Sequence, residues 1–203
     1  MSMLRIAIVT GSTRPGRNNE AVARWVVRHA QQRSDAEFEL VDIADYHLPL
    51  LDEPVSAMFG RYTKAHTRAW SETIASFDGY VFVTPEYNHS MSGALKNAVD
   101  FLYREWNNKA AGFVSYGGGA SGARAVEHLR LVMSELMVAT VRAQVLLSLV
   151  TDFEGFTTFK PLPQREAELT TLLDQVVSWA AALRNVRAPA MPRRESAAVA
   201  SAG

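Results

Sequence analysis

The segment from Tyr80 to Leu102 reads YVFVTPEYNHSMSGALKNAVDFL and passes from a buried strand through a polar turn into a helix with no residue to spare. Tyr80 to Val83 is an apolar run of β-branched and aromatic residues, and Pro85 removes a backbone donor, so a strand is expected to end near Thr84. Ser90 or Ser92 can cap the following helix, whose apolar residues Ala94, Leu95, Ala98, Phe101 and Leu102 recur at helical spacing. Between strand and helix lie Glu86, Tyr87, Asn88 and His89. A carboxylate, a flat aromatic, an amide and an imidazole in one tight turn describe a binding floor better than a solvated loop.

Outward from this segment the chain alternates strand and helix. Leu4 to Thr10 reads as a buried strand followed by the turn GSTRPGRNN; Glu20 to Arg33 is helical in period; Glu37 to Ile43 alternates as a half-exposed strand near an edge. DYHLPLLDEP, with two prolines, reads as a surface loop, and Tyr62 to Phe77 as an amphipathic helix. Beyond Leu102 come a fourth strand at Ala111 to Tyr116, the turn GGGASG, a helix over Ala123 to Ala139 and a fifth strand at Val141 to Leu149. A loop from Phe153 to Pro163 and a last helix, Glu166 to Arg184, complete the pattern. One domain is expected over residues 1–187, with a disordered tail over residues 188–203.

Five strands alternating with helices imply a parallel sheet covered on both faces. Of the two common strand orders, 2-1-3-4-5 makes strands 1, 3 and 4 neighbours. Those strands precede the three unusual turns, which then converge at the carboxyl edge beside the switch point where such sheets bind ligands. The expected fold is therefore a flavodoxin-like three-layer α/β/α sandwich with a five-stranded parallel sheet.

Composition narrows the chemistry. Lysine plus arginine and aspartate plus glutamate number 21 each among 203 residues, so the balance of charge favours no nucleic acid or anionic membrane and leaves a small-molecule partner. There is no cysteine, which removes disulfides, thiolate metal sites and thiol redox chemistry; a redox function would need a bound cofactor. No run of 18 apolar residues and no leader pattern is present, and a cytoplasmic location is expected.

In the first turn, Ser12 and Thr13 hydroxyls, helix N-terminal amides and the cations Arg14 and Arg17 suit a phosphate. GSTRPGRNN matches neither GxGxxG nor GxxxxGK[ST], and alone it is also compatible with an ordinary basic turn. In the second and third turns, Tyr87 can lie against a ring, Asn88 and the amides of Glu86 and Tyr87 can bond heteroatoms, and Gly117, Gly118 and Gly119 allow close backbone approach. Tyr87 and Trp106 could equally be core or interface aromatics, and His89 a structural histidine.

The combination of GSTRPGR, VTPEYNHSMSGALKNAVDFL and SYGGGASGARAVEHLR resembles the NADPH-dependent FMN reductase family of flavodoxin-like flavoproteins, from about Leu4 to Val150. The resemblance implies that Ser12, Arg14, Arg17 and Asn19 hold the phosphate of FMN. It implies further that Pro85, Glu86, Tyr87 and Asn88 hold the isoalloxazine, with Ser115, Tyr116, Gly117 and Gly118 at its other edge. Many members carry serine where this chain has Arg17. Hydride from NADPH or NADH would pass through FMN to free flavin, a quinone, an azo compound or a metal oxyanion; the opposing possibilities are a flavodoxin-type electron carrier and a flavin sensor without turnover. No metal and no side chain acting as essential acid or base are expected, since hydride moves as a unit. Phe101, Leu102, Tyr103 and Trp106 supply more aromatic surface than YREWNNK should leave in water, so a homodimer, or a tetramer built from dimers, is expected.

Overall fold

The computed structural model describes residues 3–187, so the expected tail lies outside the described residues. Its sheet has five parallel strands in the order β2-β1-β3-β4-β5. These are β1 (Leu4–Thr10), β2 (Ala36–Val41), β3 (Gly79–Pro85), β4 (Ala110–Gly117) and β5 (Ala139–Ser148). The crossovers are α1 (Asn19–Ala30), α2 (Ala65–Ala75), α3 (Gly93–Asp100) and α4 (Ala123–Glu135), and α5 (Gln164–Arg187) closes the described chain.

Side-chain alternation along the strands builds two separate cores, because successive residues of a strand point to opposite faces. Ile6, Ile8, Val81, Val83 and Val114 face one side, where Val22 and Val26 of α1 and Leu172, Leu173 and Val176 of α5 cover them. Val9, Tyr80, Phe82 and Phe113 face the other, under Trp70 and Ile74 of α2, Leu95 and Val99 of α3, and Leu129 and Met133 of α4. Each fully buried side chain of this size contributes about 1.5–3 kcal/mol. Gly112 marks the closest approach of α5 to the sheet: a Cβ there would lie 2.7 Å from Val176 and 2.9 Å from Leu172.

Three expectations need correction. The third ladder runs one residue past Thr84, since Pro85 pairs with Tyr116 and the Glu86 amide then donates to the Tyr116 carbonyl at 3.0 Å. The stretch after β5 is not all loop: Phe153–Glu154 (β6) and Thr158–Phe159 (β7) form an antiparallel hairpin. Finally, Phe101, Leu102 and Trp106 are core residues, not surface ones. The Trp106 indole donates to the Val99 carbonyl at 3.2 Å, and its ring packs edge-on to Trp70 and Tyr80.

Candidate functional site

The turns after β1, β3 and β4 open at one edge of the sheet, as the strand order requires. Arg14, Arg17, Pro85, Glu86, Tyr87, Tyr116 and Gly117 all line one cavity of about 300 Å³. A second, of about 330 Å³, is lined by Thr13 to Arg17 with Glu20 and Ala44.

The first turn is anchored from beneath. The Asn19 side chain accepts from the Gly11 amide at 3.1 Å and donates to the Val83 carbonyl at 2.8 Å, stitching β1 to β3. Asn19 is wholly buried, so its amide shapes the turn from below. Ser12 is buried as well; its hydroxyl accepts from the Arg14 amide and meets the Tyr87 hydroxyl at 3.2 Å, tying the first turn to the second. Arg17 bends back into the protein, donating to the Ser12 carbonyl, to Glu20 at 3.0 Å and to Asp42 at 2.5 Å. Arg14 is exposed at the mouth, and its guanidinium makes no bond among the described residues.

The second turn is a two-residue hairpin. Tyr87 and Ser90 exchange backbone bonds, at 2.9 and 3.1 Å, around Asn88 and His89 at φ 49° and 73°. Positive φ at both central positions is the type I′ signature, which asparagine tolerates well. Two donors expected for a ring are therefore already used: the Glu86 amide on Tyr116 and the Tyr87 amide on Ser90. Asn88 and His89 are exposed, with the His89 ring 6.1 Å from that of His128. Ser92, whose hydroxyl accepts from the Leu95 amide at 3.0 Å, is the cap of α3.

The third turn is held against the second by charge. Arg124, near the start of α4, donates from Nε to Glu86 at 2.6 Å while its amide reaches the same carboxylate at 3.2 Å. Ser115 lies behind the turn and donates to the Ser121 carbonyl at 3.1 Å. Gly122, at φ 86°, permits this: a Cβ there would lie 2.6 Å from that of Ser115. Gly117 is likewise needed for packing, whereas side chains added at Gly118 and Gly119 would meet open space.

Several groups here bear on what the cavity could hold. The Tyr116 hydroxyl is buried without a hydrogen-bond partner. Burial pushes its ionisation well above the ordinary tyrosine value, with the nearby Asn19 side chain easing it. A buried polar atom without a partner costs about 1–3 kcal/mol, which a polar ligand can recover. The free charge of Arg14, the orphaned hydroxyl of Tyr116 and the open side of Gly118 fit a flat ring with a phosphate tail, the shape of FMN.

Sequence reasoning missed Asp42, Arg124 and a fourth wall. Leu149, Phe156 and Thr157, beyond β5, line the same cavity as Tyr87 and Tyr116. The Asn18 side chain donates to the Phe156 carbonyl at 2.8 Å. Gly155 between phenylalanines was the available signal, because a short loop containing glycine between apolar residues marks a hairpin.

Comparison with known proteins gives the family. A model of the family described as NADPH-dependent FMN reductase matches residues 4–152. An NAD(P)H-dependent FMN reductase of Nectria sp. is 41% identical over 147 residues, which are 68% of this chain and 73% of that protein. A 2-hydroxy-1,4-benzoquinone reductase of Burkholderia sp. is 38% identical over 139 residues, 66% of this chain and 72% of the relative. Among solved structures, a flavoenzyme NAD(P)H:(acceptor) oxidoreductase from Paracoccus denitrificans superposes with a TM-score of 0.68 at 21% identity, covering 89% of this chain and 98% of its own.

Proposed function

The chain belongs to the NADPH-dependent FMN reductase family, and we propose on that premise that the cavity at the β1, β3 and β4 turns is its flavin site. It is an FMN-dependent NAD(P)H oxidoreductase. FMN, when bound, supplies the centre that takes hydride from the nicotinamide and passes electrons on. The chain's own residues bind and orient it.

Arg14 holds the phosphate, with the Ser12 and Thr13 hydroxyls beside it, while Asn19 keeps the turn in shape from below. Tyr87, fixed through its hydroxyl on Ser12, presents a ring face to the cavity, and Pro85 packs next to it. Asn88, Gly118 and the Tyr116 hydroxyl supply polar contacts to the ring. Glu86 acts through Arg124, clamping the second and third turns together. No side chain is required as acid or base, in keeping with hydride transfer as a unit.

The observation that carries this reading is the convergence of an unpaired arginine and an unpartnered buried phenol in one cavity of the right size. The acceptor is a quinone, the class named for the Burkholderia relative. The cytoplasm, where NAD(P)H is plentiful, is the expected location. A homodimer is part of the same proposal. Its support moves from the buried aromatics to a groove of about 540 Å³ lined by Leu51, Met58, Lys96, Tyr103 and Leu136 among others.

The visible spectrum of the purified protein, before and after adding FMN, tests the cofactor. NADPH oxidation with and without a benzoquinone tests turnover. Protein that fails to take up FMN, or that consumes NADPH no faster with the quinone, would overturn the corresponding part of this reading.

A further inference from the structure

The β6–β7 hairpin carries a residue placed at a double cost. Phe156 has φ 63°, in the left-handed region that bulky side chains avoid, and 60% of its surface is exposed. The Thr157 amide donates to the Glu154 carbonyl at 3.2 Å, and Gly155 also has positive φ, at 58°, so the tip is a type I′ turn in which asparagine or glycine is the ordinary occupant. Met137, another large apolar residue with positive φ, has a local reason: it follows α4, and the Val138 amide bonds back to the Met133 carbonyl, a common way for a helix to end. Phe156 has no such reason.

The hairpin is too well anchored for its tip to be incidental. Phe153 and Phe159 pack with ring centroids 5.1 Å apart, Phe159 meets Trp25 of α1 at 5.6 Å, and Phe153 meets Tyr116 of β4 at 6.1 Å. At its base, Asp152 is wholly buried; its carboxylate accepts from the Ser148 and Leu162 amides and from Arg165. The Asn18 latch then fixes the tip to the first turn. A rigid arm thus holds an exposed phenyl ring at the wall of the cavity that Pro85, Tyr87 and Tyr116 also line.

We propose that Phe156 is a cofactor-binding residue, its ring covering the flavin ring in this cavity. This rests on the reading that the three turns bind FMN. A flat conjugated ring is the ligand that rewards an aromatic wall, and contact with it repays both the exposure and the backbone conformation.

The test is direct binding to the flavin-free protein, followed by quenching of flavin fluorescence with FMN, riboflavin and lumiflavin as probes. Phe156→Asn removes the ring and keeps a residue that tolerates positive φ. It should weaken all three flavins by one common factor of about tenfold or more, the usual effect of removing an aromatic platform from a flat base. The unfolding temperature of the flavin-free form should stay the same or rise, and Phe156→Tyr should bind within about threefold of the parent.

Unchanged affinities would overturn the proposal. So would weakening of FMN alone, which would mean that Phe156 acts on the phosphate turn through Asn18. A fall in unfolding temperature in step with the loss of binding would assign Phe156 to hairpin stability instead. Parent protein that binds none of the three flavins would sink the reading of the turns and this contact with it.

Discussion

Replacing Asp42 with asparagine should make the protein bind FMN more tightly, although no atom of Asp42 lies among the residues lining either cavity at the first turn. Arg17 is neutralised: its guanidinium bonds Asp42 at 2.5 Å, and their side chains are only 9% and 17% exposed. Asp42 is itself held by the Thr10 hydroxyl at 2.7 Å and the Ala44 amide at 3.0 Å. Counting Arg14 and Arg17 against Glu20 and Asp42, the turn has no net charge to offer a phosphate.

A unit negative charge about 8 Å from a phosphate repels it by about 2 kcal/mol per phosphate charge at an effective dielectric of about 20. Solvent and salt screening reduce the sum over a phosphate's one to two charges to about 1–2 kcal/mol, or about 5- to 30-fold in affinity. Asparagine keeps an oxygen for Thr10 and Ala44 but presents no anion to Arg17, which then keeps only the Ser12 carbonyl and the exposed Glu20 as partners and carries charge to spare for the ligand. Fluorescence titration at low and high salt should show FMN binding tightened by that factor, with the gain shrinking as salt rises, and riboflavin unaffected. If FMN binding is unchanged or weaker while riboflavin is unaffected, the Arg17–Asp42 pair sets the shape of the turn and does not compete with phosphate.

Arg14→Ala should cost FMN about 1.5–3 kcal/mol of binding, the worth of a charged hydrogen bond, and leave riboflavin unaffected; equal losses for both would place Arg14 in folding or ring contact. Glu86→Gln keeps an acceptor for the Arg124 amide, so single-turnover flavin reduction by NADPH should stay within about tenfold, whereas a loss of about a hundredfold with FMN still bound would make Glu86 a proton donor. Burial, with the charge of Arg187 behind it, lowers Lys109 from 10.5 to about 7, so above that value the unfolded chain holds a proton that the folded chain lacks. Stability should therefore rise from about pH 7 to about pH 10, by up to about 1.4 kcal/mol per pH unit, and the difference between parent and Lys109→Met in chemical denaturation should isolate that slope; a difference that does not vary with pH would show Lys109 unshifted.

The sheet order and the three turns of the candidate site were legible because they rest on local signals. Buried strands such as Ala7 to Thr10 and Tyr80 to Val83 announce themselves by apolar runs, and the three turns by residue types that strands and helices avoid. What escaped depends on distance. Asp42 closes an edge strand and has no sequence spacing to Arg17, which lies 25 residues earlier. Arg124 looks like a solvated residue at a helix start until β3 brings Glu86 beside it. Trp106 stands among Arg104, Glu105, Asn107 and Asn108, so its polar neighbours hide the burial that Trp70 and Tyr80 impose. The strands β6 and β7 have two residues each, too short for any period to show.

The two ends of the sheet are finished in opposite ways, and the contrast locates function without reference to any relative. At the amino end Asp78 and Lys109 are both supplied with partners. Asp78 takes the Arg5 amide at 3.0 Å and the guanidinium groups of Arg184 and Arg187; although burial opposes it, these partners hold its carboxyl below the ordinary value. Lys109, buried, spends its three donors on the Ile74 and Ala75 carbonyls and the Tyr80 hydroxyl. At the carboxyl end the chain leaves Arg14 unpaired and the Tyr116 hydroxyl without a partner, and it holds Asn88, His89 and Phe156 at positive φ. A buried group without a partner costs about 1–3 kcal/mol, as does a bulky residue held at positive φ, and each persists where something else repays it. A fold that satisfies its groups so fully at one end did not lack the means to do so at the other. The deficit at the carboxyl end supports the proposal that a ligand is held there, and its parts, a cation, a phenol and an exposed ring, suit an anionic tail joined to a flat polar ring.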